Sequence, residues 1–306
     1  MNPIFLPWHI AQAASADQSS LPTEWGGHLW MAGLVYLGLA LAGLIVSLLL
    51  AGYWHTHPRR LGESLDRIRQ RAWPLHEALQ LGITLLALFA MVLSAHMITE
   101  ALSIKGLGQD ERLWIIIQSV TFHWAGLILI LRYIKRQGTS LKASFGLTRE
   151  NMLVLACWGL VFYLATMPFL WFYTILYQTG LKLLGYESTL QSVAVIFTDE
   201  QPMWLRVYFM VMGTVLAPCF EELLFRGIAL PILLRKWGAV PAILAVSMAF
   251  AVIHFHVPSL VPLFIISVAF SLSYLYTESI LTPIIMHALF NAVNLGMMTG
   301  LRQACL

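Results

Sequence analysis

Three short stretches set ionisable and amide side chains inside otherwise apolar sequence. They are Pro218-Cys219-Phe220-Glu221-Glu222-Leu223-Leu224-Phe225-Arg226, Phe250-Ala251-Val252-Ile253-His254, and His287-Ala288-Leu289-Phe290-Asn291. An ionisable group inside a membrane span costs about 2.5–3.5 kcal/mol on insertion scales, so such groups persist where they are paired or functional. On a helix, residues four apart share a face and adjacent residues point about 100° apart. Glu222 and Arg226 can therefore pair along one face, while Glu221 points elsewhere with no cation on its own turn. A structural ion pair beside an unpaired carboxylate suits general-base work. At depth, that free carboxylate needs water or a histidine to meet it. His287 and Asn291, also four apart, present an imidazole and an amide on one face, donors suited to an oxyanion.

Taken singly, each feature has a simpler explanation. Glu222 with Arg226 reads as a structural ion pair, His254 as a hydrogen-bonded packing residue, and Asn291 as interhelical glue. Their coincidence on three helices argues for a site. His123 and His256 are left outside it, and Glu278 reads as a solvated turn residue.

These helices need a membrane around them. Of the 306 residues 59% are apolar and 11% charged, with a mean hydropathy of +0.75. So few charges could not cover a soluble fold, where about 25% is usual. The net charge of +3 is too small to indicate nucleic acid as a partner. Cys157, Cys219 and Cys305 are odd in number, and the first two sit in apolar runs, so they form no disulfide framework.

The expected fold is all-α, with about eight transmembrane helices near 29–53, 75–98, 114–134, 152–177, 204–225, 238–255, 259–276 and 280–299. Trp30, Trp54, Trp73, Trp114, Trp204 and Trp237 lie near span ends, where aromatic rings favour the headgroups. Alternate loops, after the first, third and fifth spans, collect 13 of the 18 basic residues, Arg226 counted among them. By the positive-inside rule those loops are cytoplasmic and both termini are not. Residues 1–28 contain no Lys or Arg and read as an uncleaved extracytoplasmic tail rather than a signal peptide. Residues 29–199 are expected to form an N-terminal set of membrane helices, and 200–299 the core that carries the three motifs. The stretch 178–202 is expected to carry a short surface helix. This is a multi-pass protein, expected in the plasma membrane.

Glu221-Glu222-x-x-x-Arg226, Phe250-x-x-x-His254 and His287-x-x-x-Asn291, in that order on membrane helices, resemble the motifs of the CAAX prenyl endopeptidase and bacteriocin-processing (CPBP, Abi-type) family of intramembrane proteases. The resemblance covers roughly residues 200–297 and departs from none of the three motifs. It implies an endopeptidase acting on a membrane-embedded or lipidated peptide or protein. Glu221 and His254 would activate a water, and His287 and Asn291 would stabilise the oxyanion. Glu222 and Arg226 would hold the helices and orient Glu221, with Phe250 beside them. The family is often labelled metalloprotease. The His-Glu-x-x-His zinc signature is absent here, although Glu221, His254 and His287 could in principle supply three zinc ligands.

Two other classes compete. A proton-coupled carrier also uses intramembrane carboxylates and histidines, but should show paired repeats, and the first half has no counterpart of the charged motifs. A non-catalytic immunity or scaffold protein would not need all three motifs intact. Depth poses a difficulty for any single site. Counted along their helices at 1.5 Å per residue, Glu221 and His254 lie about 21 and 25 Å from the basic side, but His287 only about 12 Å. Either the turn around Glu278 is submerged, or Pro231 or Pro283 redirects a helix.

Overall fold

The computed structural model describes residues 25–71, 73–102, 111–147, 151–186 and 202–305. The expectations for residues 1–24 and for the surface helix within 187–201 lie outside the described residues.

Every regular element described is helical. In chain order they are α1 (Trp25–Thr56), α2 (Pro58–Gln70), α3 (Leu75–Ala101), α4 (Glu111–Arg136), α5 (Leu141–Phe145) and α6 (Met152–Leu183). Then follow α7 (Met203–Trp237), α8 (Ala239–Val252), a 3-10 turn at Val257–Ser259, α9 (Leu260–Thr277) and α10 (Leu281–Cys305). The chain is an all-α polytopic membrane protein. Among the described residues, six helices are long and apolar enough to cross a membrane, and two more, Ala239–Val252 and Leu281–Gly296, are apolar but shorter. The expected eight spans thus divide into six long ones and two short ones.

α6 is the central post. It packs against α1, α9 and α10. Small residues allow the close crossings: a Cβ on Gly43 would meet the Leu164 carbonyl oxygen at 2.2 Å, and Ser47 on the same face of α1 donates to the Ala165 carbonyl at 2.6 Å. α1 and α3 bury little within the protein and turn Leu48, Leu49, Ile83 and Leu86 outward, as helices facing lipid do. The buried core sits instead between α4, α6, α7, α8, α9 and α10.

α2 is of another kind. Pro58 opens it, Ser64, Leu65 and Ile68 turn inward, and Glu63, Asp66 and Arg67 face out. This amphipathic helix covers the turn between α9 and α10. Arg67 donates to both carboxylate oxygens of Glu278 at 2.7 Å, and Arg71 donates to the Glu278 carbonyl at 2.8 Å. The Glu278 contact holds the Arg67 guanidinium above the usual arginine value. Glu278 is therefore paired, not simply solvated as its turn position suggested. From the other side, the Ile280 N–H donates to the Phe145 carbonyl at 2.9 Å, and Ser279 and Ile280 are buried. Gly146, at φ +65°, lies so close that a Cβ would meet the Glu278 carbonyl oxygen at 2.2 Å. The turn is thus covered by α2 and α5, and α10 starts from a position fixed inside the protein. Arg226 also needs correction: it is fully buried inside α7 and belongs to no loop.

Candidate active site

α7 carries the first motif, and two prolines shape it. Residues Met212–Leu216 and Leu223–Ala229 are wound as π-helix, a local widening frequent at functional sites. In the first segment the Ala217 N–H goes to the Met212 carbonyl, five residues back. The same pattern would offer the Gly213 carbonyl the N–H of residue 218, which is proline and has none. Asn291 from α10 fills the gap, its Nδ2 donating to Gly213 O at 2.7 Å. Further along, the Gly227 carbonyl faces Pro231 four residues on, and the Trp73 indole N–H donates to it at 2.8 Å. Each proline leaves a carbonyl in an apolar interior, and a side chain from another segment satisfies it.

Between these two points sit Glu221 and Glu222. Glu222 is fully buried; its Oε1 accepts from Arg226 Nη1 at 3.0 Å and from His287 Nδ1 at 2.9 Å. Arg226 also donates through Nη2 to the Ser267 carbonyl at 2.8 Å and to the Ser267 hydroxyl. Its guanidinium lies 5.0 Å from the Phe250 ring centre and 5.1 Å from that of Phe270. A buried guanidinium is tolerable when its charge is matched and its faces meet aromatic rings. His287 is stacked on Phe270 with centroids 4.8 Å apart and meets Phe250 edge-on at 5.7 Å. Because Nδ1 donates to Glu222, Nε2 is turned to the other side, where Glu221 Oε2 lies 3.9 Å away. That oxygen makes no hydrogen bond.

His254 lies outside α8, in the turn just past its end at Val252. Its Nδ1 donates to the Phe250 carbonyl at 2.7 Å, since a carbonyl can only accept, and this leaves Nε2 as a lone pair. Its ring contacts Phe250 at 5.0 Å, so Phe250 separates and supports both histidines. No hydrogen bond or ion pair joins His254 to Glu221; the imidazole beside Glu221 is that of His287. Asn291 stands one turn beyond His287, with one amide hydrogen taken by Gly213. His123 leans on Phe220 at 5.6 Å, and His256 bonds to Ser259 at 2.7 Å. Sequence reasoning overlooked Ser267, Phe270 and Gly213. A small polar residue interrupting the apolar run of α9 was the available signal for Ser267; nothing local marked the other two.

Residues 202–293 match the family described as type II CAAX prenyl endopeptidase Rce1-like. The chain carries an Rce1-like segment. All three motifs fall within it, and α1 to α6 lie outside. This bears out the resemblance read from the motifs for residues 202–293, a family whose described activity is that of a CAAX prenyl endopeptidase. No curated protein and no solved structure matched the chain.

The zinc option can be tested on the donor set of the Rce1-like segment. Among the described residues no three His, Cys, Asp or Glu side chains are gathered so that they could hold a metal ion, Glu221, His254 and His287 included. Glu221 and His287 come together, but His287 Nδ1 is already committed to Glu222. As arranged here, the residues do not fit a resident metal.

Proposed function

We propose that this chain hydrolyses a peptide bond in a membrane-associated protein or peptide, with Glu221 as the general base. The observation that carries this is the free Glu221 Oε2, 3.9 Å from the Nε2 of a histidine whose other nitrogen is fixed by Glu222. Atoms that far apart are too distant to bond directly, yet one water oxygen can lie about 2.8 Å from both.

The chemistry follows. Glu221 takes a proton from that water as its oxygen adds to the scissile carbonyl carbon. The C=O electron pair moves onto oxygen, and the oxyanion needs N–H donors. The second amide hydrogen of Asn291 is one, and an N–H at His287 Nε2 would be another. Collapse breaks the C–N bond, and the amine leaves with the proton held by Glu221. The free Nε2 of His254 can accept a hydrogen bond from the attacking water or hold the peptide. Phe250 keeps both imidazoles in place, while Glu222 and Arg226 orient His287 and α7. The basic loops face the cytoplasm of the cell membrane in this reading.

Purified chain in lipid nanodiscs, offered a library of membrane-anchored peptides, tests it by mass spectrometry of the products. Glu221→Gln should lower cleavage about a hundredfold or more with an unchanged unfolding midpoint. Equal cleavage by Glu221→Gln refutes the assignment. Cleavage should survive a strong chelator; loss restored by zinc would show that the three ligands rearrange around a metal.

A further inference from the structure

A cavity of about 430 Å³ lies away from the Glu221 cluster, where the ends of α1 and α9 meet the start of α6 and are roofed by α2. Three span helices end or begin there, at Thr56, Thr277 and Met152, so the cavity sits at headgroup level on the side of the basic loops.

Among the described residues its charge is unbalanced. Arg67 on the wall is matched by Glu278 at 2.7 Å and by Glu63 at 3.6 Å. Arg60 also lines the cavity, and it meets no carboxylate among the described residues; its guanidinium reaches only the Tyr53 hydroxyl and lies 5.9 Å from the Tyr53 ring centre. Asn151, the residue before α6, also lines the cavity, and its side chain makes no capping bond. Trp158 and Tyr276, with ring centres 4.7 Å apart and planes tilted by 60°, supply an aromatic wall of the kind that favours the interface. Beside the cavity, Leu49 and Leu153 are 68% and 79% exposed, which offers acyl chains an apolar surface next to the cationic pocket.

We infer that this cavity binds the phosphate headgroup of an anionic glycerophospholipid. Arg60 takes the phosphate with the Asn151 amide beside it, the aromatic wall takes the glycerol region, and the chains run down α1 and α6. The site is built from α1, α2, α6 and α9, and stands whether or not the chain is a peptidase.

The test uses the full chain in nanodiscs of phosphatidylcholine alone or of equal parts phosphatidylcholine and phosphatidylglycerol, with retained lipid counted by native mass spectrometry after transfer to detergent. Phosphatidylglycerol should be retained in preference to phosphatidylcholine and should raise the unfolding midpoint. Arg60→Gln should weaken retention about fivefold and Arg60→Lys much less. Arg69→Gln should match the native chain, because Arg69 is paired with Asp66 and does not line the cavity. Equal retention of the two lipids overturns the proposal. So does equal weakening by Arg60→Gln and Arg69→Gln, which would mean diffuse surface charge. A midpoint raised as much by inorganic phosphate alone as by phosphatidylglycerol overturns it too, leaving a simple anion site.

Discussion

His287 Nδ1 lies 2.9 Å from Glu222 Oε1, and the same oxygen accepts from Arg226. One carboxylate oxygen thus ties the ion pair of α7 to the imidazole of α10, and it fixes which nitrogen of that imidazole faces Glu221. The adjacent glutamates have divided tasks: Glu222 is consumed by structure, and Glu221 is kept free.

Glu222→Gln separates these tasks. The amide keeps the shape, but it removes the charge that orients His287. Cleavage should fall about a hundred- to ten-thousand-fold, as when a carboxylate orienting a catalytic histidine is replaced by an amide. The loss should appear in kcat more than in KM. A Glu222→Gln chain with native kcat would mean that His287 needs no such orientation.

Arg226→Met tests the buried pair. Removing one partner of a buried ion pair costs about 3–5 kcal/mol, because the other charge is stranded. Arg226→Met should therefore lower the unfolding free energy steeply, and Glu222→Gln added to it should recover part of the loss. Equilibrium unfolding of the two single variants and the double variant gives the coupling directly. Strict additivity would mean that the two side chains do not interact.

Pro218 and Asn291 form a second coupled pair. Asn291→Ala strands the Gly213 carbonyl and should cost about 1–3 kcal/mol of stability. Pro218→Ala supplies a backbone N–H, so Pro218→Ala with Asn291→Ala should be more stable than Asn291→Ala alone. Cleavage should not return with stability, if the second amide hydrogen of Asn291 serves the oxyanion. Parallel recovery of both would reduce Asn291 to a structural residue.

Gly146→Ala strikes the covered turn. The residue is at φ +65°, and its Cβ would collide with the Glu278 carbonyl. The backbone strain alone is about 1 kcal/mol or more, and the collision adds to it. Hydrogen exchange should rise at Glu278–Ile280, and cleavage should fall because α10 begins there and carries His287 on its second turn. Native exchange at these amides would show that the turn is held by α2 alone.

Local geometry made much of this legible. The all-α membrane class came from apolar runs too long for anything but spans. The Glu222–Arg226 pairing came from a spacing of four on one helix, and the three motifs pointed to one region of the chain. The amphipathic α2 was hidden among loop arginines, because its inward face is only a few residues wide. Glu278 was misjudged because a turn residue looks solvated until the helix that roofs it is known.

What the sequence determined by itself is what one helix can encode: which residues are apolar enough to span, which side chains share a face, and which carboxylate lacks a cation on its own turn. Only the tertiary structure decided that His287 rather than His254 stands beside Glu221, that Asn291 meets the carbonyl left by Pro218, and that Ser267 and Phe270 enclose the buried pair. Those contacts cross between helices far apart in the chain. Their partners are chosen by the relative rotation and depth of packed helices, which the spacing within any one helix does not contain.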